Sequence, residues 1–128
     1  HDGAYTSRID KFSFASNVTA TSHGNLSGGN TRGICAAQSS TTHGFSAGGG
    51  EPNVNVIDKF YFTSNTIATD VGDLTVSPTA IAGISSTTDG YVAGLANAIN
   101  KFSFASGGNA TTHGNLSAQR NYPAGHQF

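Results

Sequence analysis

A six-residue pattern of alternating apolar and polar positions occurs three times along the chain. Its copies read IDKFSF at residues 9–14, IDKFYF at 57–62 and INKFSF at 99–104. The two phenylalanines of each copy are two positions apart, and a period of two is typical of a strand with one buried face. We therefore predict that the phenylalanine pairs form the structural core of the repeats: Phe12, Phe14, Phe60, Phe62, Phe102 and Phe104.

The rest of each repeat follows in a common order. A polar stretch with a glycine comes first, then a run of small residues, a Ser-Ser-Thr-Thr link, and a segment that opens with His-Gly-Phe or Asp-Gly-Tyr. No helical periodicity runs far enough to indicate a helix. The pattern predicts one all-β domain, residues 1–128, with three repeats of about four short antiparallel strands. The repeats divide approximately into 1–42, 43–88 and 89–128.

Glycines recur in register with the phenylalanine strands. The glycine of the polar stretch repeats after 48 and then 42 residues, as do the isoleucines that open the strands. Another glycine follows the first residue of each His-Gly-Phe or Asp-Gly-Tyr segment. A glycine held in register usually serves a turn or bulge that needs positive φ. We predict turn glycines at Gly24, Gly44, Gly72, Gly90 and Gly114.

The amino-acid composition limits the classes of partner that the protein is expected to bind. Only 10% of the 128 residues are charged, and the net charge is -1. The six basic residues are scattered, so we expect no nucleic-acid partner. Cys35 stands in a short apolar run and is predicted to be buried and unreactive. No apolar run is long enough for a membrane span, so no membrane insertion is expected. Because the chain has no methionine, we interpret it as a processed product or a fragment.

Histidine and aspartate recur at two places in the repeats, and both residue types bind metals. One place gathers His23, Asp70 and His113, and the other gathers His43 and Asp89. No pair has the short spacing of a known ligand motif. Each residue stands next to or near a glycine in a polar turn, where capping of a backbone N–H is the favoured role. We therefore predict no metal and no cofactor.

Catalytic motifs are not visible in the sequence. There is no Gly-x-Ser-x-Gly elbow, and Cys35 has no convincing histidine partner. Asp10 and Asp58, replaced by Asn100 in the third copy, recur once per repeat and are interpreted as strand-edge or turn groups. A catalytic carboxylate normally stands alone in a repeat array. We predict that the protein is not an enzyme.

Two family resemblances are carried by these residues. The order HGFSAGG, IDKFSF-like strand, polar turn, arginine and small-residue strand is similar to the kelch repeat, and this implies β-propeller blades. The strings DKFSFAS, ATDVGDL and SSTTHGF resemble repeats in long proteins of cyanophages and other marine tailed phages. That second resemblance implies a structural or adhesive virion protein, such as a tail fibre, a spike or a capsid decoration.

Three copies are too few to close a propeller of four to eight blades. Two chains could supply six blades, the chain could belong to a larger propeller, or the sheets could form a three-sheet prism or a repeat fibre. Residues 36–42 and 80–88 carry no charge to repel a neighbouring strand. We expect a homo-oligomer, or contacts with other virion proteins, with residues 1–5 and 122–128 near the contact.

A secreted, lectin-like module that binds cell-surface glycans is the alternative function. Exposed aromatic and polar side chains would suit sugar contact in either class. Both alternatives place the protein in a virion or outside the cell.

Overall fold

The computed structural model describes residues 5–29, 32–50, 53–78, 80–120 and 123–125. These residues form ten strands in three antiparallel sheets of two, four and four strands. Helical structure among them consists of two single turns of 3-10 helix, Ser27–Gly29 and Leu95–Asn97. The all-β prediction is confirmed. No helix in the described ranges is long and apolar enough to cross a membrane.

Strand order in each sheet follows the order of the chain. Two of the sheets therefore have the four short antiparallel strands that the repeat pattern predicts, and the first has two among the described residues. The described sheets close into neither a barrel nor a propeller. The first sheet contains β1 (Arg8–Lys11) and β2 (Thr21–Asn25); the second β3 (Ala36–Ser39), β4 (His43–Gly49), β5 (Val54–Tyr61) and β6 (Thr69–Asp73); the third β7 (Ala82–Ser85), β8 (Asp89–Ala93), β9 (Ala98–Ser103) and β10 (Thr111–Asn115).

Each four-stranded sheet opens with a hairpin made by the Ser-Ser-Thr-Thr link. Ser40 Oγ accepts hydrogen bonds from the Thr42 and His43 amides, at 3.3 and 3.0 Å. Ser86 accepts the equivalent bonds in the third sheet. The hairpin joins the small-residue strand to the next strand of the same sheet, so a hydrogen-bonded unit begins one strand earlier than residues 43 and 89.

A one-residue bulge interrupts the pairing between each phenylalanine strand and the strand that follows it. The extra residue is His23 in β2, Val71 in β6 and His113 in β10. Gly24 and Gly72 follow the extra residue, with φ of 138° and 151°. Few residues other than glycine adopt such angles. The bulge role predicted for these two glycines is confirmed.

The other repeat glycines have a different role. Gly44 and Gly90 lie inside β4 and β8, opposite Phe60 and Phe102 in the neighbouring strand, and neither has positive φ. A Cβ atom at either glycine would collide with the phenylalanine ring that covers it. Their assignment to turns is wrong, because absence of a side chain makes room for a ring instead. Gly114 lies at the third bulge without positive φ.

The core lies between the second and third sheets. Phe102 and Phe104 are 3% and 7% exposed, as predicted. Phe45 of β4 is 1% exposed and packs on both, with ring centroids 5.6 and 4.7 Å away. The buried apolar residues around these rings are Ala36, Ala47, Ile57, Leu74, Ile81, Val92 and Ala110.

The first two phenylalanine pairs depart from the core prediction. Phe12 and Phe14 are 58% and 97% exposed, and Phe60 and Phe62 are only half-buried. A phenylalanine pair is buried when the preceding sheet covers it with a residue such as Phe45. Within the described residues, the first sheet has no strand equivalent to β4, and no sheet precedes it. The repeat sequence is present at all three places, but the covering neighbour is not.

Cys35 is exposed, so its predicted burial is wrong. Ile81 stands at the same repeat position and is 8% exposed. Ile81 lies beside Gly48 of the second sheet, which covers it. The described part of the first sheet offers no equivalent of β4 to cover Cys35.

Candidate functional site: the phenylalanine groove

Successive sheets are joined by backbone hydrogen bonds at equivalent repeat positions. The Ala68 amide, in the second repeat, donates to the Asn25 carbonyl at the end of β2 over 2.7 Å. The Ala110 amide donates to the Asp73 carbonyl at the end of β6 over 2.8 Å. One geometry of stacking therefore relates the first sheet to the second and the second to the third.

The lysine of each phenylalanine strand adds a second link between sheets. Lys11 Nζ donates to the Phe62 carbonyl at 2.7 Å, and Lys59 Nζ donates to the Phe104 carbonyl at 3.5 Å. Lys59 also stands 5.9 Å from the centroid of the Phe45 ring. Each lysine thus connects its own strand to the phenylalanine strand of the next sheet.

An open groove of about 340 Å³ lies between β1 and the second sheet. Four phenylalanine rings line it in two edge-to-face pairs. The centroids of Phe12 and Phe14 are 5.3 Å apart, and those of Phe60 and Phe62 are 6.2 Å apart. We call it the phenylalanine groove; its remaining lining residues are Ile9, Asp10, Lys11 and His23.

The groove is open because no aromatic side chain of the described chain occupies it. In the next interface, Phe45 fills the space in front of the Phe102 and Phe104 rings. In front of Phe60 and Phe62 the described chain provides no such residue. Exposed aromatic surface of this kind commonly marks a contact site for another molecule.

Polar groups stand at the margin of the groove. His23 is 4% exposed, and its Nε2 donates to the Tyr61 carbonyl at 2.7 Å, which fixes the proton on that nitrogen. Asp10 forms a half-exposed ion pair with Arg8 at 2.6 Å. The centre of the groove is therefore apolar, whereas charge is confined to its edge.

The metal candidates of the bulge are not brought together. The bulge positions are occupied by His23, Val71 and His113, so Asp70 does not share the position assigned to it. Asp70 Oδ1 instead accepts a hydrogen bond from the Gly72 amide at 3.1 Å, which is the backbone capping predicted. Within the described ranges, no three His, Cys, Asp or Glu residues lie close enough to hold a metal ion.

His43 and Asp89 open β4 and β8 and share one environment. Burial, followed by the charge of Lys59, lowers the pKa of His43 below its ordinary value. A hydrogen bond from the Thr88 hydroxyl is the main cause that lowers the pKa of Asp89, and Lys101 adds to it; burial opposes both. Neither side chain caps a backbone N–H in the way the sequence suggested, since each is bonded to the preceding threonine hydroxyl.

A buried ion pair joins Arg32 to Asp58, and sequence reasoning missed it. Both side chains are 0% exposed, and Arg32 Nη2 lies 2.6 Å from Asp58 Oδ2. Asn100, at the position of Asp58, accepts hydrogen bonds from the Thr75 amide and hydroxyl, both at 2.8 Å. The available signal was the arginine four residues before the small-residue strand, at Arg32 and again at Arg120.

These features define what the site can do. The phenylalanine groove can receive an apolar or aromatic surface, with hydrogen bonds and charge available only at its rim. No protein-family model matches the chain, and no curated protein matches it.

Proposed function

We propose that the chain is a non-enzymatic, structural or adhesive virion component, such as a phage tail fibre, spike or capsid decoration, built from β-propeller-like repeats. One observation carries the proposal: residues repeated in register serve the stacking of sheets. Lys11 and Lys59 bond to the next phenylalanine strand, and Gly24 and Gly72 shape the bulges. In a repeat array each unit contacts only its neighbours, so residues repeated in register form the contacts that build an extended structure.

Contacts between the opening strands support a blade-like arrangement. The Ser39 amide of β3 donates to Ser85 Oγ of β7 at 2.9 Å. A Cβ at Gly83 would collide with the Ala37 carbonyl, and a Cβ at Gly125 would collide with the Gly83 carbonyl. The small-residue strands β3 and β7, and the segment around Gly125, thus approach one another with a repeated step, as the inner strands of propeller blades do.

The virion assignment can be tested by locating the protein. Antibodies raised against the 128-residue chain should label the tail or capsid surface of virions from its source in immunogold microscopy. The resemblance of DKFSFAS and SSTTHGF to marine phage repeats motivates the choice of virions. Detection of the chain only in the soluble secreted fraction, with unlabelled virions, would refute the proposal and favour the lectin-like alternative.

Carbohydrate binding is a second candidate because the phenylalanine groove offers aromatic faces beside Lys11, Asp10 and His23. Sugars stack their apolar faces on aromatic rings and bond to polar groups at the rim. A glycan array should then give hits that Phe60→Ala removes. Ile67→Ala, which shortens an exposed apolar side chain outside the groove, serves as the control. Failure to bind any glycan leaves assembly as the role of the groove.

A further inference from the structure

We infer that copies of this chain associate head to tail, with the first sheet of one copy stacking on the third sheet of another. The contact would repeat the packing of the third sheet on the second. This inference does not depend on the virion role, because it uses only the two end faces. The head face comprises Asp10, Phe12, Phe14 and Ala20; the tail face comprises Tyr91, Lys101, Asn115 and Arg120.

The aromatic residues of the two faces are complementary. Tyr91 has the repeat position of Phe45, the ring that covers Phe102 and Phe104. Phe12 and Phe14 hold the positions of those two covered phenylalanines and are exposed. Stacked head to tail, Tyr91 of one copy would cover the exposed pair of the next.

The lysine link would also be repeated. Lys101 has the position of Lys11 and Lys59, both of which bond to the second phenylalanine carbonyl of the next sheet. In the described chain, Lys101 contacts Asp89 at 3.4 Å and stands 5.8 Å from the Tyr91 ring centroid. A following copy would present the Phe14 carbonyl to it.

Charge complementarity gives the strongest argument for a second copy. Arg120 has the repeat position of Arg32, and Asp10 has that of Asp58. Within the chain, Arg32 and Asp58 form a fully buried pair, whereas Arg120 and Asp10 are exposed at opposite ends. Head-to-tail stacking brings them together, and Asp10 would exchange its half-exposed partner Arg8 for a buried one.

Backbone groups complete the match. Ala20 has the position of Ala68 and Ala110, whose amides bond to the carbonyls that end β2 and β6. Asn115, at the end of β10, holds the position of those acceptors. The contact is heterologous, since two different faces meet. It therefore produces a closed ring or an open filament rather than a twofold dimer.

Charge reversal tests the inference directly. The variant D10R carries arginine on both faces, and R120D carries aspartate on both faces. Each alone should associate about tenfold or more weakly than wild type, as measured by sedimentation velocity across micromolar concentrations. A mixture of the two should recover association, because every junction then joins opposite charges. Reducing agent is included, since Cys35 is exposed.

Phe14→Ser supplies the apolar test with a folding control. The Phe14 side chain is 97% exposed, so its replacement should leave the thermal melting of dilute monomer unchanged while it weakens association. A wild-type chain that stays at 13.0 kDa at about 100 micromolar would overturn the inference. So would association that ignores both charge reversals, or a mixture of D10R and R120D that fails to recover it.

Discussion

Asp10, Asp58 and Asn100 occupy one repeat position in three different environments. Asp10 is paired at the surface, Asp58 is buried against Arg32, and Asn100 is buried and accepts two hydrogen bonds from Thr75. The sequence predicted strand-edge or turn groups at these positions, and that prediction is wrong for Asp58 and Asn100, which are buried inside β5 and β9. It could not predict their burial, because burial depends on which sheet covers the strand.

Substitution of Asp58 should destabilise the fold strongly, because Asp58 is one half of a buried ion pair. Asp58→Ala leaves Arg32 buried without its ionic partner, and loss of one member of such a pair costs about 3–5 kcal/mol in the free energy of unfolding. Asp10→Ala is the matched control, because its ion pair is half-exposed and should contribute little. Urea denaturation of both variants gives the comparison. An equal loss of stability in the two variants would contradict the prediction that the buried pair contributes more than the half-exposed one.

Phenylalanines at equivalent repeat positions should also contribute differently to the free energy of unfolding. Phe102→Ala removes a ring that is 3% exposed and should destabilise the fold by about 3–5 kcal/mol, including the cavity it leaves. Phe12→Ala removes the equivalent ring at the exposed end and should cost far less in dilute solution. If both variants unfold at the same urea concentration, the second–third interface is not the principal core.

His43 should make stability depend on pH. Burial and Lys59 lower its pKa in the folded state below the ordinary value of 6.5, so the unfolded chain binds the proton more readily. The stabilisation is present above pH 6.5 and declines as the pH falls through that value towards the folded pKa. His43→Gln should reduce the dependence of the free energy of unfolding on pH in this range. An NMR titration that places the pKa of His43 in the folded protein at or above its ordinary value would contradict the prediction.

Single strands show how far local pattern determines structure. Alternation predicted the phenylalanine strands, and the Ser-Ser-Thr-Thr link predicted a connection that Ser40 and Ser86 cap. The glycines could not be separated by sequence alone. Gly72 meets a backbone requirement for positive φ, whereas Gly44 makes room for a ring, and both appear simply as glycine in register.

A pair of alanine substitutions separates these roles. Gly44→Ala should destabilise the fold, because the added methyl group would collide with the Phe60 ring and displace it. Gly114→Ala is the matched control, since no atom lies within 4 Å of the added Cβ and its φ is not positive. Thermal melting should fall clearly for the first variant and little for the second. A larger loss at Gly114 would mean that the third bulge requires glycine.

At the scale of the whole molecule, stability follows from contacts between neighbouring sheets. The sequence predicted the repeats and their strands, but it could not predict that the rings at one end lack a cover. In the described chain, the first sheet lacks an equivalent of β4, which accounts for exposed Cys35 and the open phenylalanine groove, and no described sheet precedes the first one to cover Phe12. These departures from the sequence prediction thus share one kind of cause, which is the lack of a covering strand or sheet on the side that precedes each residue.

Protection from amide hydrogen exchange should therefore be graded along the array. In a repeat protein each unit gains stability from its neighbours, and a two-stranded sheet is marginal by itself. The first sheet, at 8–11 and 21–25, should exchange faster than the equivalent strands at 98–103 and 111–115. Mass spectrometry of dilute samples measures this gradient, and D10R serves as a control because it suppresses association. Equal protection of the first and third sheets in dilute D10R would mean that the first sheet has a stabilising partner within its own chain.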